Sequence, residues 1–168
     1  MQETVQQYVS RILSYLEDQK PVDLLVSSPR KISALVKGAT KRQMGKRPAP
    51  GKWSVTEILA HLADVEIVQG FRVRLMLASN GVPIQGFDQD TWAGEFGYAK
   101  QDPAASLKAY LVNRERNVRL MKSLTPEQWS RYGIHSERGK ETVFRVAELM
   151  AGHDINHLRQ IRSNLKGK

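Results

Sequence analysis

Apolar residues in this chain recur at helical spacing over long stretches, and nowhere at the two-residue spacing of a half-buried strand. Val5, Val9, Ile12, Leu13 and Leu16 mark a first amphipathic helix, which Pro21 stops. Ser28-Pro29 has the form of an N-cap followed by a first-turn proline, predicting a short helix that ends at Gly38. Ser54 and Glu57 stand at capping-box spacing, each able to satisfy a free amide of the other. The helix they open is expected to reach about Leu77, with Val55, Ile58, Leu62, Val65 and Gln69 down one stripe. Further helices are predicted over residues 103–124 and 142–165, and Thr125-Pro126-Glu127-Gln128 has the chemistry of a helix start. Residues 80–103 are rich in Gly, Pro and Asp and read as a connection carrying Phe87, Trp92, Phe96 and Tyr98. No run of alternating β-branched residues and no Asn-Gly turn argues for strands. The expected fold is all-α, a four-helix bundle.

A chain of 168 residues buries enough surface to hold a core without a disulfide or a structural metal, and a single domain over residues 1–168 is expected. The sequence contains no cysteine, which excludes a thiolate metal site, an iron–sulfur cluster and a cysteine nucleophile. The polar first residues lack the basic and apolar regions of a secretion signal. No apolar run approaches the roughly 20 residues that span a bilayer. A cytoplasmic protein that does not enter membranes is expected.

The net charge of +9 is concentrated. Residues 30–52 carry Arg30, Lys31, Lys37, Lys41, Arg42, Lys46, Arg47 and Lys52 with no acid, leaving 18 basic against 17 acidic residues elsewhere. The part from about 38 to 53 has Gly, Pro and charge without an apolar period and reads as an exposed basic connection. A phosphate or acidic-partner contact is the alternative, but Trp53 is the only aromatic nearby and no nucleic-acid motif is present.

Three of the four histidines occupy positions where the pattern calls for an apolar residue. His153 and His157 are four apart, so their side chains stack on one helical face. They lie on the stripe of Val146, Met150 and Ile161. His61 sits on the arc of Ile58, Leu62 and Val65. A lone inward histidine is ordinarily a hydrogen-bonded core residue, yet burying an imidazole without partners is costly, and one metal ion would account for all three. His135, in Tyr132-Gly-Ile-His135-Ser, is expected in a loop at the surface. His153-Asp154-Ile-Asn-His157 also has the outline of the zinc-protease H-E-x-x-H motif. That reading fails because Asp154 is one methylene too short for the general base and only 11 residues follow His157 to supply a third ligand. The third ligand must come from upstream, where His61 is the best candidate.

Trp53-Ser-Val-Thr-Glu-Ile-Leu-Ala-His61-Leu-Ala-Asp64-Val-Glu66, followed by Gly152-His153-Asp-Ile-Asn-His157-Leu-Arg-Gln160-Ile161, resembles the DinB/YfiT-like superfamily. The likeness spans nearly the whole chain, with the Pro-Ala-Pro-Gly-Lys-Trp53 lead-in and the Leu-Thr-Pro-Glu127 segment. It implies a four-helix bundle, often a homodimer, with one divalent metal ion, zinc or nickel, on His61, His153 and His157. It implies a metal-dependent hydrolase, or a transferase or isomerase that works with a low-molecular-weight thiol.

Three neutral imidazoles leave a dication with its full charge and an open position for water or a small-molecule substrate. Without a cysteine in the chain, any thiolate at such a site belongs to a cosubstrate. Asp64, Glu66 and Asp154 are candidate acid–base groups, against the ordinary roles of solvated helix carboxylates or partners orienting a histidine N–H. Gln160, near His157, is a candidate for that orienting role, and Asp88, Asp90 and Trp92 lie in the long connection expected to cover the bundle mouth. Two other function classes stand beside the enzyme: a metal-binding bundle without turnover, and a polyanion-binding module built on residues 30–52.

Overall fold

The computed structural model describes residues 3–166. The helices are α1 (Val5–Ser14), α2 (Pro21–Val36), α3 (Lys41–Gly45), α4 (Val55–Ala78), α5 (Gln89–Glu95), α6 (Pro103–Lys122), α7 (Pro126–Ser130) and α8 (Val143–Lys166). Helix α4 packs against α6 and α8, and α2 packs against the same two. Helices α2, α4, α6 and α8 therefore close a ring, the expected four-helix bundle with one member changed: α2, expected as a short piece, takes the place of the first amphipathic helix, and α1 lies along the outside of α8. No described helix is long and apolar enough to cross a membrane.

Local chemistry explains most of the boundaries. Ser54 and Glu57 form the expected capping box, and Thr4, Thr40 and Thr125 do the same with Gln7, Gln43 and Gln128. The first helix ends at Ser14, well short of the stop expected at Pro21, and the chain turns away through Glu17 in the left-handed region (φ 51°); Pro21 occupies the first turn of the second helix. The short helix expected to start at Ser28 is a correction: α2 is already two turns long there, and Pro29 lies in its interior. The Ser28 hydroxyl donates to the Leu24 carbonyl at 2.8 Å instead of capping a helix start. Proline removes one ladder hydrogen bond, and the packing of α6 makes this good. The connection from 38 to 53 contains α3, and Lys41, Arg42, Lys46 and Arg47 are exposed there as expected.

The core is divided. One cluster gathers Leu24, Leu25, Val73, Met76, Met121 and Met150; the other gathers Ile32, Ile58, Leu59, Leu62, Tyr110 and Ile161. Between them in sequence, each long helix carries a buried polar group: Ser28, Glu66, Arg114 with Asn117, and Asp154. At Gly152 a Cβ would lie 2.2 Å from the Ile12 carbonyl oxygen, so only glycine lets α1 approach α8 this closely.

A small sheet, absent from the sequence expectation, sits at one end of the bundle. Strand β1 (Val82–Ile84) pairs parallel with β2 (Tyr132–His135), which pairs antiparallel with β3 (Gly139–Thr142). Strands of three or four residues containing Pro83 and Gly133 are too short and irregular to show a period. On β2 the side-chain chemistry is also inverted: Ile134 is 44% exposed while His135 is 2% exposed.

Candidate metal centre

Helix α4 supplies His61, and α8 supplies His153 and His157, one turn apart. The Nε2 atoms of His61 and His153 are 2.9 Å apart, and those of His157 and His153 are 3.0 Å apart. Nitrogens held tetrahedrally around one zinc ion are separated by about 3.3 Å, so this group can hold one metal ion. Trp53 packs on His61 with ring centroids 4.9 Å apart.

The protein alone does not satisfy these nitrogens. Gln160 Oε1 accepts from Nδ1–H of His157 at 2.8 Å, which leaves a lone pair on the Nε2 of that ring. His153 Nε2 faces two imidazole nitrogens and can share a proton with only one at a time. One lone pair is therefore unanswered, as a cation-binding donor set requires. Burial drives all three rings towards the neutral, ligand-competent form. His61 and His157 are held well below the ordinary histidine value by burial and by their imidazole neighbours. His153 is brought down to about 4 by burial and by the nearby Arg114 guanidinium.

The three candidate carboxylates are committed elsewhere, and none lines the cavity beside the histidines. Asp64 Oδ2 accepts from the Tyr98 hydroxyl at 2.6 Å. Glu66 accepts from Arg114 Nη2 at 2.6 Å and from Asn117 Nδ2 at 2.9 Å. Asp154 accepts from Arg114 at 2.5 and 3.0 Å. Burial opposes the Arg114 charge, but the two carboxylates more than offset it and keep the guanidinium firmly protonated. Asp88 caps α5 rather than facing the histidines, and Trp92 packs at a tilt between Phe87 and Phe96.

His61 and His153 form one end of a cavity of about 380 Å³ between α1, α4, α8 and the sheet. Two of its lining residues were not expected. Arg72 is 5% exposed and donates Nη2–H to the Gln85 carbonyl at 2.5 Å. Burial and the neighbouring Arg138 lower it to about 10. His135, expected at the surface, is buried on β2. Its Nδ1 accepts from the Glu137 amide at 3.2 Å, so Nε2 carries the proton, and that N–H has no partner among the described residues. An unanswered buried donor costs about 1–3 kcal/mol. Arg72 was legible in principle, because 11 residues at 100° each return it to the face of His61. His135 carried no such signal, because its burial depends on a strand that shows no period.

Residues 24–161 match the family model described as the DinB superfamily. The protein named "Putative metal-dependent hydrolase YfiT" of Bacillus subtilis is 26% identical over 151 residues, covering 89% of this chain and 84% of that one. An Oceanobacillus iheyensis protein with the same description is 25% identical over 132 residues, covering 79% and 76%. The solved structure of YfiT from Bacillus subtilis superposes with a TM-score of 0.81 at 24% identity, covering 88% of this chain and 86% of that chain, and is described as an unusual four-helix bundle. The mycothiol-dependent maleylpyruvate isomerase superposes with a TM-score of 0.70 at 11% identity, over 89% of this chain and 62% of that chain.

Proposed function

Because the chain belongs to the DinB superfamily, we propose that it is a metal-dependent enzyme that holds one divalent ion on the Nε2 atoms of His61, His153 and His157. The observation that carries this reading is the convergence of three neutral imidazole nitrogens, His61 and His157 buried and His153 half-buried, with His61 and His153 facing a cavity. Among the described residues no fourth histidine or carboxylate joins the group. An ion with three protein ligands beside a cavity has a position open to substrate, which favours a catalytic site over a closed structural one. When bound, such an ion acts as a Lewis acid and makes a coordinated water or thiol nucleophilic near neutral pH. Zinc and nickel both suit an all-imidazole donor set.

The reaction we propose is hydrolysis, or transfer to a low-molecular-weight thiol, of a small-molecule substrate. The name given to the curated relatives supports hydrolysis. The mycothiol dependence of the structurally similar isomerase, with the lack of cysteine in this chain, supports a thiol cosubstrate. Gln160 orients His157, and Arg114 keeps Glu66 and Asp154 occupied, so the reading assigns them no proton transfer. A homodimer, which rests on the family resemblance, and a cytoplasmic location belong to the same proposal.

Elemental analysis of untagged protein tests the site. About one equivalent of transition metal in wild type, lost in His61→Ala, His153→Ala and His157→Ala but kept in His135→Ala, is the expected result. Wild type that takes up neither zinc nor nickel after reconstitution would overturn it.

A further inference from the structure

The cavity that begins at the histidines has a chemically distinct far wall. His61, Val65, Gln69 and Arg72 run along one face of α4 and all line it. At 1.5 Å per residue, Arg72 stands about 16 Å along the helix from His61. Side chains on a helix lean towards its N-terminus, so the guanidinium is carried back over the cavity towards the histidines. Among the described residues no carboxylate lies within ion-pair distance of Arg72, although 95% of its surface is buried. One N–H of its fork is used by the Gln85 carbonyl, and the Phe87 ring lies 5.7 Å from its central carbon. A buried guanidinium is normally paired, because removing its charge from water is costly without a counter-charge.

Glu141 and Glu137 act on Arg72 only from a distance, without an ion pair, and the positive charge of Arg138 works against them. Glu141 is engaged by Arg138 at 2.6 and 2.9 Å. Glu3, at the rim, is engaged by Arg11. Glu137 lines the cavity but is exposed and forms no ion pair with Arg72. His135, also on the wall, holds a buried N–H donor with no acceptor. The guanidinium lacks a paired anion and the imidazole N–H lacks an acceptor, and one oxyanion in the cavity would answer both.

We infer that Arg72, with His135, anchors an anionic oxygen group, a carboxylate or phosphate, of the small molecule whose reacting end is presented to His61, His153 and His157. This builds on the proposed function by naming a substrate class: an organic anion whose charged group is separated from its reacting atom. The planar fork of Arg72 suits two-point contact with such a group, and the His135 N–H adds a third. Arg72 is a specificity-determining residue in this arrangement. With an ion held by the histidines, the guanidinium at the other end would also make the cavity attractive to anions.

The test uses the whole chain stripped of metal with chelator and then dialysed free of the chelator, whose carboxylates would compete for the site, so that it does not depend on the metal site. The His135 ring is followed by ¹H–¹⁵N NMR during titration with butyrate, methyl phosphate and butyramide, the uncharged counterpart of butyrate. At least one anion is expected to shift the His135 Nε2–H signal saturably, with butyramide at least tenfold weaker. The preferred anion assigns the group as carboxylate or phosphate. Arg72→Gln is expected to weaken anion binding at least tenfold. If that variant fails to fold, the wild-type ratio of anion to amide decides alone. Equal binding of butyrate and butyramide, no binding of either anion, or wild-type affinity in a folded Arg72→Gln would overturn the inference. Zinc uptake, measured separately, reports on the metal reading: anion binding without zinc uptake leaves this inference standing while the metal reading falls.

Discussion

Arg114 of α6 donates Nη1–H to the carbonyl of Leu25 in α2 at 3.3 Å. That carbonyl is the one Pro29, four residues on and without an N–H, leaves free in the helical ladder. The same guanidinium binds Glu66 and Asp154, so one side chain ties all four bundle helices together. Replacing it strands two buried carboxylates. Arg114→Met is expected to destabilise the protein by about 3–5 kcal/mol, the usual cost of breaking a buried ion pair from one side. Urea unfolding followed by circular dichroism measures this; a loss below about 1 kcal/mol would contradict the role given to Arg114.

Gln160 fixes which nitrogen of His157 carries the proton. Removing such an outer partner typically costs 10–100-fold in metal affinity. Gln160→Leu is therefore expected to weaken zinc binding by about that factor while leaving stoichiometry at one. Competition against a chromophoric chelator reads the change. Unaltered affinity would show that the Gln160 contact does not orient His157 for a metal.

The histidine cluster makes the metal-free protein sensitive to acid. In the unfolded chain these rings protonate near pH 6.5. In the folded chain burial holds them lower, with His153 at about 4. Between those values the unfolded state binds more protons, so stability falls as pH drops from about 6.5 towards 4 and is fully present above that window. Denaturant midpoints in chelator at pH 7.5, 6 and 5 should decline in that order. A flat profile across this window would contradict the neutral, buried state of the three rings.

Two glycines separate packing from backbone freedom. Gly152→Ala places a Cβ 2.2 Å from the Ile12 carbonyl oxygen and must push α1 from α8. A loss of about 1–3 kcal/mol is expected. Gly94, inside α5, has nothing within 4 Å of its would-be Cβ. Gly94→Ala is expected to be neutral or to stabilise by up to about 1 kcal/mol. Thermal melts of the two variants check both signs, and equal shifts would mean that the α1–α8 approach is not tight.

The long helices were legible because their signals are local. The Ser54–Glu57 box, the period of Ile58, Leu62 and Val65, and the stacking of His153 on His157 all lie within a few turns of one helix. Pro29 escapes local signals for the same reason: locally Ser28-Pro29 has the form of a helix start, while the carbonyl the proline leaves free is met by a donor from α6, far along the chain. The sheet was invisible because β1 and β2 find each other across about 50 residues, with no period of their own.

The sequence by itself determined a helical chain with three inward histidines, two of them on one face, because helical periodicity is a property of neighbouring residues. Tertiary structure alone decided that Glu66 and Asp154 belong to Arg114, that His135 is buried with an unanswered N–H, and that Arg72 and the histidines share one cavity. Those facts depend on which distant groups meet once water is excluded, and burial assigns partners by the packing of whole helices rather than by spacing along the chain.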